Sequence, residues 1–473
     1  MTDTRPRWRR TVAAIVVACS VAYVLLFVPI YAPRVHRVPL SSPFPATSPF
    51  NNLHLTETEC RSTFPGLMDP IDEQVRRGPF QLQPASDLGP LQARVRGGQL
   101  RIVSTEKHGL LPPELLDARV ATLHQINRAL LTAPFLSSLR SREESMSSLP
   151  SSSPASLSSP DGSDSLDDSL DTVFSINIQD QPYGSAFTYS LPAYAAPTAG
   201  NAPIGRAFLM PHFSFWAWRP PMVGSFARAS AEIDRIEAEI PFSRKKPQAV
   251  WRGTTRFSSA HHPELRKALL TATHNQSWAD VQALDWLPDG SNANAMQEAS
   301  NSLMIEDFCQ YKYVIHTEGI TYSGRFQFHQ LCGSVVLTAP LAWMQHTAHL
   351  VRPLYASDLP LEGTPWKPTA DEEKAWPHST PNEANIVFVS PDWSNLGATI
   401  QWLEKHPRVA EDIARRQRQL FASGPYDRGY HSPAAEVCYW RGLLAGWKKV
   451  VQYNDTDVGE GEPWESFSLD PRQ

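Results

Sequence analysis

Hydrophobic and polar positions divide this chain into unlike stretches. The first, TVAAIVVACSVAYVLLFVPIYA from Thr11 to Ala32, contains no charged side chain, and about 20 such residues let a helix cross a bilayer core. Arg5, Arg7, Arg9 and Arg10 stand immediately before it. A secretory signal has an apolar region of roughly 7 to 15 residues and a small-residue cleavage site. Here the run is longer, stays bulky to its end and is interrupted late by Pro29, so it reads as an uncleaved anchor. The positive-inside rule keeps the arginine cluster in the cytosol. Residues 1–10 are then a cytosolic tail, 11–32 a transmembrane helix, and the remainder emerges on the other side in type II topology.

After the anchor, residues 33–50 contain prolines and serines without an apolar period, as a stem would. The stretch from Ser137 to Asp171 is Ser-rich and then acidic. It cannot bury enough apolar surface to offset its ordering entropy, and it reads as a disordered insertion. Its acidic end lacks the central Gly and terminal Glu of a calcium loop. From Phe174 onward, short apolar runs alternate with helical patterns, the texture of an α/β fold. Residues 227–240 place Ile233, Ile236 and Ile240 on one helical face and stop at Pro241. The runs 249–251, 313–317, 334–338 and 385–389 read as buried strands. Between the second and third of these lies SGRFQFHQLCG, where Ser323 is placed to cap a helix. The unit is thus strand, helix, strand, with a right-handed crossover. A further helix is expected from Pro407 to a C′ glycine at Gly424.

Composition narrows the functional classes. The chain has 473 residues, ample for a large core, and its formal charge of −5 offers no basic field for nucleic acid. Proline, at 42 residues, is abundant, but 14 tryptophans still provide for a core. Five cysteines (Cys19, Cys60, Cys309, Cys332, Cys438) are too few for a disulfide scaffold and form no C-x-x-C pair. An oxidising compartment would permit disulfides among the four outside the anchor. Asn275 in NQS and Asn454 in NDT are glycosylation acceptors by pattern.

The candidate chemistry lies at predicted strand ends. A strand ending at Thr317, the loop EGITY and a helix beginning near Ser323 expose backbone N–H groups that suit an anion, with Gly324 beside them and Arg325 in the first turn. WRGTTRF has the same form: Trp251 ends a strand, and Arg252, Gly253 and Arg256 occupy a polar loop suited to phosphate. Asp180 follows the run FSINI on a turn at a strand end, where a carboxylate can act as acid or base; a turn aspartate bonding its own backbone is the plainer reading of position alone. Trp216 and Trp218 in FSFWAW are core aromatics or a sugar platform. His346 with His349, and His261 with His262, lack a third ligand at zinc spacing. No cofactor is required, and a divalent ion such as Mn²⁺ has no ligand set to support it. No G-x-S-x-G, Walker or dinucleotide motif occurs in a suitable context.

Taken in order, these segments resemble glycosyltransferase family 90, which includes fungal capsule-associated xylosyltransferases and protein O-glucosyltransferases of the animal secretory pathway. The resemblance is carried by DTVFSINIQDQP (171–182), PHFSFWAW (211–218), KKPQAVWRGTTRF (245–257), YKYVIHTEGITYSGRFQFHQLCGSVVL (311–337), SPDWSNLGATIQWLEKHP (390–407) and CYWRGLL (438–444). It implies a GT-B-like α/β fold, two Rossmann-like domains facing a cleft. Residues 51–244 would form an acceptor-side domain carrying the 137–171 insertion, 245–450 a nucleotide-sugar-binding domain, and 451–473 a tail. It also implies inverting transfer of xylose or glucose from a UDP-sugar to a hydroxyl of a glycan or glycoprotein, in the Golgi or endoplasmic reticulum membrane. Asp180 matches the family's N-x-x-D-x-P aspartate and is the expected base, with Asp171 in reserve. Trp251, Arg252, Gly253, Arg256, Ser323, Gly324 and Arg325 would hold the UDP-sugar, and Trp216 and Trp218 would lie on the acceptor side. The sequence departs from the animal branch at TYSGR, which favours UDP-xylose. The rival reading is a UDP-sugar- or glycan-binding membrane protein of the same fold without turnover; a membrane-anchored glycoside hydrolase would leave the arginines without a purpose. The topology has a direct test: protease added to sealed microsomes should spare the large domain until detergent is present, and digestion without detergent refutes the orientation.

Overall fold

The apolar runs expected to be strands lie side by side in one sheet. In the computed structural model, which describes residues 49–83, 90–105, 112–134, 170–194, 204–286, 299–362 and 366–469, six parallel strands run in the order Ala279–Ala283, Lys246–Gly253, Tyr311–Ile315, Val335–Thr338, Ile386–Phe388, Pro353–Tyr355. Both faces are covered, as a wholly parallel sheet requires. Ala249, Trp251, Tyr313, Ile315, Val335 and Leu337 pack with the helices Leu265–Thr273, Leu396–Lys405 and Pro407–Phe421 on one side. The chain moves from the Lys246–Gly253 strand to one neighbour and later to the other, Tyr311–Ile315. Strand order therefore reverses between these two, the place where open α/β sheets bind ligands beyond their carboxyl ends.

A second six-stranded sheet is mixed, in the order Glu462–Pro463, Gln99–Ser104, Leu91–Arg96, Thr172–Ile176, Phe187–Thr188, Phe208–Leu209. Residues 451–469, read from the sequence as part of a tail, supply one edge of this sheet and the short helix Trp464–Phe467. The tail 1–10, the anchor 11–32, nearly all of the stem 33–50 and of the insertion 137–171 lie outside the described residues. Among the described residues, no helix is long and apolar enough to cross a membrane. Residues 48–473 form one compact unit.

The helix Pro433–Lys448 returns from the parallel sheet to the mixed one. Trp447 is fully buried among Phe80, Phe187 and Phe208, and its indole Nε1 donates to Val173 O at 2.8 Å. Trp440 Nε1 donates to Gln125 Oε1 at 3.1 Å, and the Tyr439 hydroxyl to Leu209 O at 3.0 Å. Gly442 and Gly446 let the helix Asp69–Arg76 approach closely, because a Cβ would lie 2.6 Å from Met68 Sδ at the first and 2.5 Å from Ile71 Cγ2 at the second. A disulfide between Cys60 and Cys438, 378 residues apart, closes the contact. The other disulfide, Cys309–Cys332, closes a span of only 23 residues beside the parallel sheet.

Three sequence expectations hold and two need correction. The helix expected at 227–240 runs Phe226–Glu239, capped by Ser225, with Ile233 and Ile236 buried. Lys245, whose side chain is 0% exposed, joins it to the sheet by donating to Glu237 Oε1 (2.6 Å), Cys309 O (2.6 Å) and Ser334 Oγ (3.2 Å). The parallel strands and the proline-initiated helix Pro407–Phe421 are also present. That helix, however, stops at Phe421 with no left-handed glycine cap; Gly424 N instead donates to Asp427 Oδ2 at 2.7 Å. Nor does Ser323 cap a full helix. The helical segment is only Phe326–His329, Arg325 occupies its N-cap without a side-chain cap bond, and Phe326 N donates to the Ser323 carbonyl at 3.1 Å.

Because the 378-residue separation makes the first disulfide a long-range tie, replacing Cys60 and Cys438 together by Ala should lower stability by about 2–5 kcal/mol, read as a lower Tm. An unchanged Tm would show that the aromatic packing of Pro433–Lys448 suffices alone.

Candidate functional site

The strand ends at the reversal point are bound to each other by buried polar contacts. Trp251 is fully buried and donates from Nε1 to Thr317 Oγ1 at 3.0 Å. Gly253 must remain bare because a Cβ would lie 2.5 Å from the Trp251 ring. These two residues, expected at the UDP-sugar, are placed as packing and positioning groups. Arg252 is likewise committed: its guanidinium donates to Asp280 Oδ1 (2.8 Å), Asp280 O (2.8 Å), Asn301 O (3.0 Å) and Trp251 O (3.0 Å). What it presents to the site is its own carbonyl, which accepts from Arg325 Nη1. Arg256 is exposed, with only its backbone N donating to Thr254 Oγ1 at 3.3 Å.

Arg325 differs from these arginines. Its guanidinium has no carboxylate partner among the described residues, and neither does Arg266, which donates to Glu318 O (3.0 Å) and Thr254 O (2.8 Å). Burial and the neighbouring Arg266 charge push Arg325 down to about 9, and burial pushes Arg266 down to about 10. Both remain protonated near neutral pH. Desolvated charges normally have counter-charges, so these two present an unmet demand for an anion. Arg266 also ties the loop after one strand, at Thr254, to the loop after the other, at Glu318. No sequence signal marks it: in PELRKALL it looks like an ordinary helix-surface charge.

The loop carrying Arg325 is held from several sides. Glu318 accepts from Ala342 N and Trp343 N, both at 3.0 Å, and burial drives it up to about 8 although those bonds oppose the shift. Gly324 must lack a Cβ, which would lie 2.4 Å from the His212 ring. Ser323 is buried beside it. The helix that follows is only the four residues Phe326–His329, shorter than the N-terminus expected from the sequence, and His212 packs against Gly324 before it. The positive field comes instead from the two guanidiniums.

Asp180 approaches from the mixed sheet, on the turn after Thr172–Ile176. Asn177 fixes that turn, its Oδ1 accepting from Gln179 N and its Nδ2 donating to Gln181 O, both at 2.9 Å. The Asp180 carbonyl accepts from Thr321 Oγ1 at 3.1 Å and Ser190 Oγ at 3.4 Å, which brings the Asp180 turn against the Arg325 loop. Asp180 is exposed, yet the protein atoms crowding its carboxylate desolvate it partly and raise its pKa above the usual 3.8. Asp171 is not brought to this place. It lies at the other end of the same five-residue strand, roughly 16 Å away at about 3.3 Å per residue, with Oδ2 accepting from Gly97 N at 2.9 Å.

Trp216 is half-buried and stacked on His124, with ring centroids 5.0 Å apart, and the Arg128 guanidinium lies 4.9 Å from its centroid. Trp218 lies edge-on to His212 at 5.9 Å and to Phe213 at 5.6 Å, nearer the Gly324 turn. Asn275 and Asn454 are both exposed; Asn275 has a positive φ of 55°, and Asn454 Oδ1 accepts from Thr456 N at 3.3 Å. Among the described residues, one cluster has metal-ligand spacing, Glu237 with Cys309 and Cys332, and its two sulfurs are joined in a disulfide.

Residues 202–361, which include both arginine-bearing strand ends, match the model of glycosyl transferase family 90. The family resemblance therefore holds. Asp180 precedes the matched segment. The human protein O-glucosyltransferase 1 is 23% identical over 296 residues, covering 59% of this chain and 63% of that protein. The O-glucosyltransferase rumi of Drosophila melanogaster is 24% identical over 263 residues (52% and 53%), and the Aedes aegypti rumi homologue 26% over 244 (50% and 44%). The chain thus spans less than two thirds of the length of these family 90 relatives.

If the arginine pair is the anion site, UDP should raise the Tm of the protein, since a ligand that binds only the native state stabilises it. Arg325→Met keeps an apolar stem and removes the charge, so it should abolish most of that rise. A full UDP-induced rise in the variant would take Arg325 out of the site.

Proposed function

We propose that this protein is an inverting glycosyltransferase that moves glucose or xylose from a UDP-sugar to a hydroxyl of a glycoprotein or glycan acceptor in the secretory pathway. The observation that carries the reading is the pair Arg266 and Arg325, a buried and a part-buried cation without carboxylate partners among the described residues, at the strand-order reversal; Arg266 opens the helix Leu265–Thr273, and Arg325 lies on the loop that reaches the Asp180 turn through Thr321. In this reading the two sheets are the cores of a GT-B pair, the parallel one holding the donor and the mixed one the acceptor. Residues 11–32 anchor the protein with its large part in the lumen of the endoplasmic reticulum or Golgi.

The chemistry follows from these roles. The acceptor oxygen attacks the anomeric carbon as the bond from that carbon to the diphosphate breaks; Asp180 takes the acceptor proton, and UDP leaves with the bonding electron pair. Inversion results from a single displacement. Arg266 and Arg325 stabilise the charge that develops on the leaving diphosphate, in a site where no rearrangement of solvent is needed. The relatives' names support glucose as the donor, and the TYSGR departure supports xylose. The two sugars are therefore the two arms of the assay: UDP release from UDP-glucose and UDP-xylose by the full-length protein, with and without glycoprotein acceptor. Binding of both donors with no UDP release would favour the rival, a non-catalytic UDP-sugar-binding protein.

The base assignment has a signed prediction. The proton acceptor is ionised Asp180, so kcat/KM should fall as pH drops through a pKa above 3.8, and Asp180→Asn should remove that limb together with about 10² to 10⁴ of the rate. A raised folded-state pKa means that the unfolded chain ionises Asp180 more readily, so at neutral pH its charge opposes folding. The Asn variant should accordingly keep or raise Tm while losing turnover. Retained turnover in Asp180→Asn would remove the base from this position.

A further inference from the structure

The base and the arginine pair belong to different sheets, and transfer depends on their separation to within a fraction of an ångström. A bond across the cleft should therefore set that separation. Thr321 lies four positions before Arg325 on the same loop, is 0% exposed, and donates from Oγ1 to the carbonyl of Asp180 itself at 3.1 Å. Its own position is fixed by a tight turn in which Gly319 N donates to Thr321 O (3.0 Å) and Tyr322 O (3.1 Å). That turn is fixed in its turn by Glu318 on Ala342 and Trp343, and by Arg266 on Glu318 O. From the other side, Asn177 holds the residues flanking Asp180. Among the described residues, the Thr321 hydroxyl is the side-chain bond from the Arg325 loop to the Asp180 turn; nearby, Ser214 Oγ reaches Gly324 O at 3.4 Å without touching that turn.

We infer that Thr321 is a positioning residue that sets the distance between the Asp180 carboxylate and the arginine-held diphosphate. This inference rests on the proposed roles of Asp180 and Arg325 and adds a residue to them. Thr321 touches neither reacting atom; it acts through the Asp180 backbone. Because Oγ1 binds a carbonyl and not the carboxylate, losing it should leave the base chemically intact but displaced. The effect should then appear in turnover and not in donor affinity. Ser190, in the link between Phe187–Thr188 and residues 191–192, donates from Oγ to the same carbonyl at 3.4 Å and supports the turn from its own chain neighbourhood.

The test compares Thr321→Val, Thr321→Ala and Thr321→Ser with Asp180→Asn in the full-length protein, reading kcat and KM for UDP-glucose and UDP-xylose, UDP affinity and Tm. Val and Ala should each lower kcat by roughly tenfold to a hundredfold, with KM and UDP affinity within about twofold and the pH at the midpoint of the acid limb unmoved. Ser, which keeps the hydroxyl, should recover most of the rate. The Ala variant, being smaller, carries the test if Val misfolds. Normal kcat in Val or Ala beside an inactive Asp180→Asn overturns the positioning role and leaves the base assignment standing. A loss of UDP affinity as large as the loss of rate overturns it too, by moving Thr321 to the donor site. Normal turnover in Asp180→Asn removes the base, and the role of Thr321 with it.

Discussion

Two guanidinium groups, Arg266 buried and Arg325 part-buried, lie close enough to repel each other, with peptide carbonyls as their acceptors among the described residues. What holds them is the pair of parallel strands Lys246–Gly253 and Tyr311–Ile315, whose ends are joined by the Trp251–Thr317 bond, by Arg266 bridging Thr254 and Glu318, and by the carbonyl of Arg252 under Arg325. Arg252 itself is neutralised by Asp280. The contrast between neighbouring arginines is the physical basis for separating structure from function here. Arg252 is paired with Asp280 and completes the fold, whereas Arg325 has no carboxylate partner among the described residues, which is what supports the proposed anion site. The arrangement needs a rigid surround, since a soft one would let water in and relieve the repulsion at the expense of the field.

The rigidity comes from both ends of the chain. Pro433–Lys448 leaves the parallel sheet and packs its tryptophans against the mixed one, and the Cys60–Cys438 disulfide fixes the return. Residues 191–192 pair antiparallel with 343–344, the segment whose N–H groups Glu318 receives. The two sheets are thus stitched where the candidate site is, and a displacement of either would be felt at Asp180 and Arg325 together. The buried Lys245–Glu237 pair does comparable work at the far end of Lys246–Gly253, where removing one partner alone would leave an uncompensated charge at a cost of about 3–5 kcal/mol.

Features that depend on local pattern were legible in the sequence. Short apolar runs named four of the six parallel strands, missing Ala279–Ala283 and Pro353–Tyr355, isoleucine spacing named the helix Phe226–Glu239, and the motif Asn177-x-x-Asp180 named a turn that Asn177 does brace. Features that depend on what lies opposite were not. Arg266 has the sequence context of a solvated helix face and becomes a site residue only because Glu318 O and Thr254 O lie above it. Ser323 does not cap the helix, whose N-cap is Arg325, and His212, more than a hundred residues earlier in the chain, fills the space beside Gly324. Trp251 and Gly253 carry the family pattern, yet their contacts are with each other and with Thr317, so a motif residue can support a site without facing it.

The directions of the pKa shifts bear on how the two functional groups are disposed. An aspartate salt-bridged to an arginine would have its pKa lowered and would raise that of its partner. Asp180 is instead raised by desolvation, and Arg325 is lowered by desolvation and Arg266. The two are therefore not paired, although their loops touch through Thr321. Such a pair would be more stable and would also be inert, with the carboxylate too weak a base and the guanidinium already neutralised. Keeping them apart leaves each in its charged form at a disadvantage in the free protein, and in the proposed reaction a UDP-sugar would bring its diphosphate to the cations while the acceptor hydroxyl gives its proton to the carboxylate.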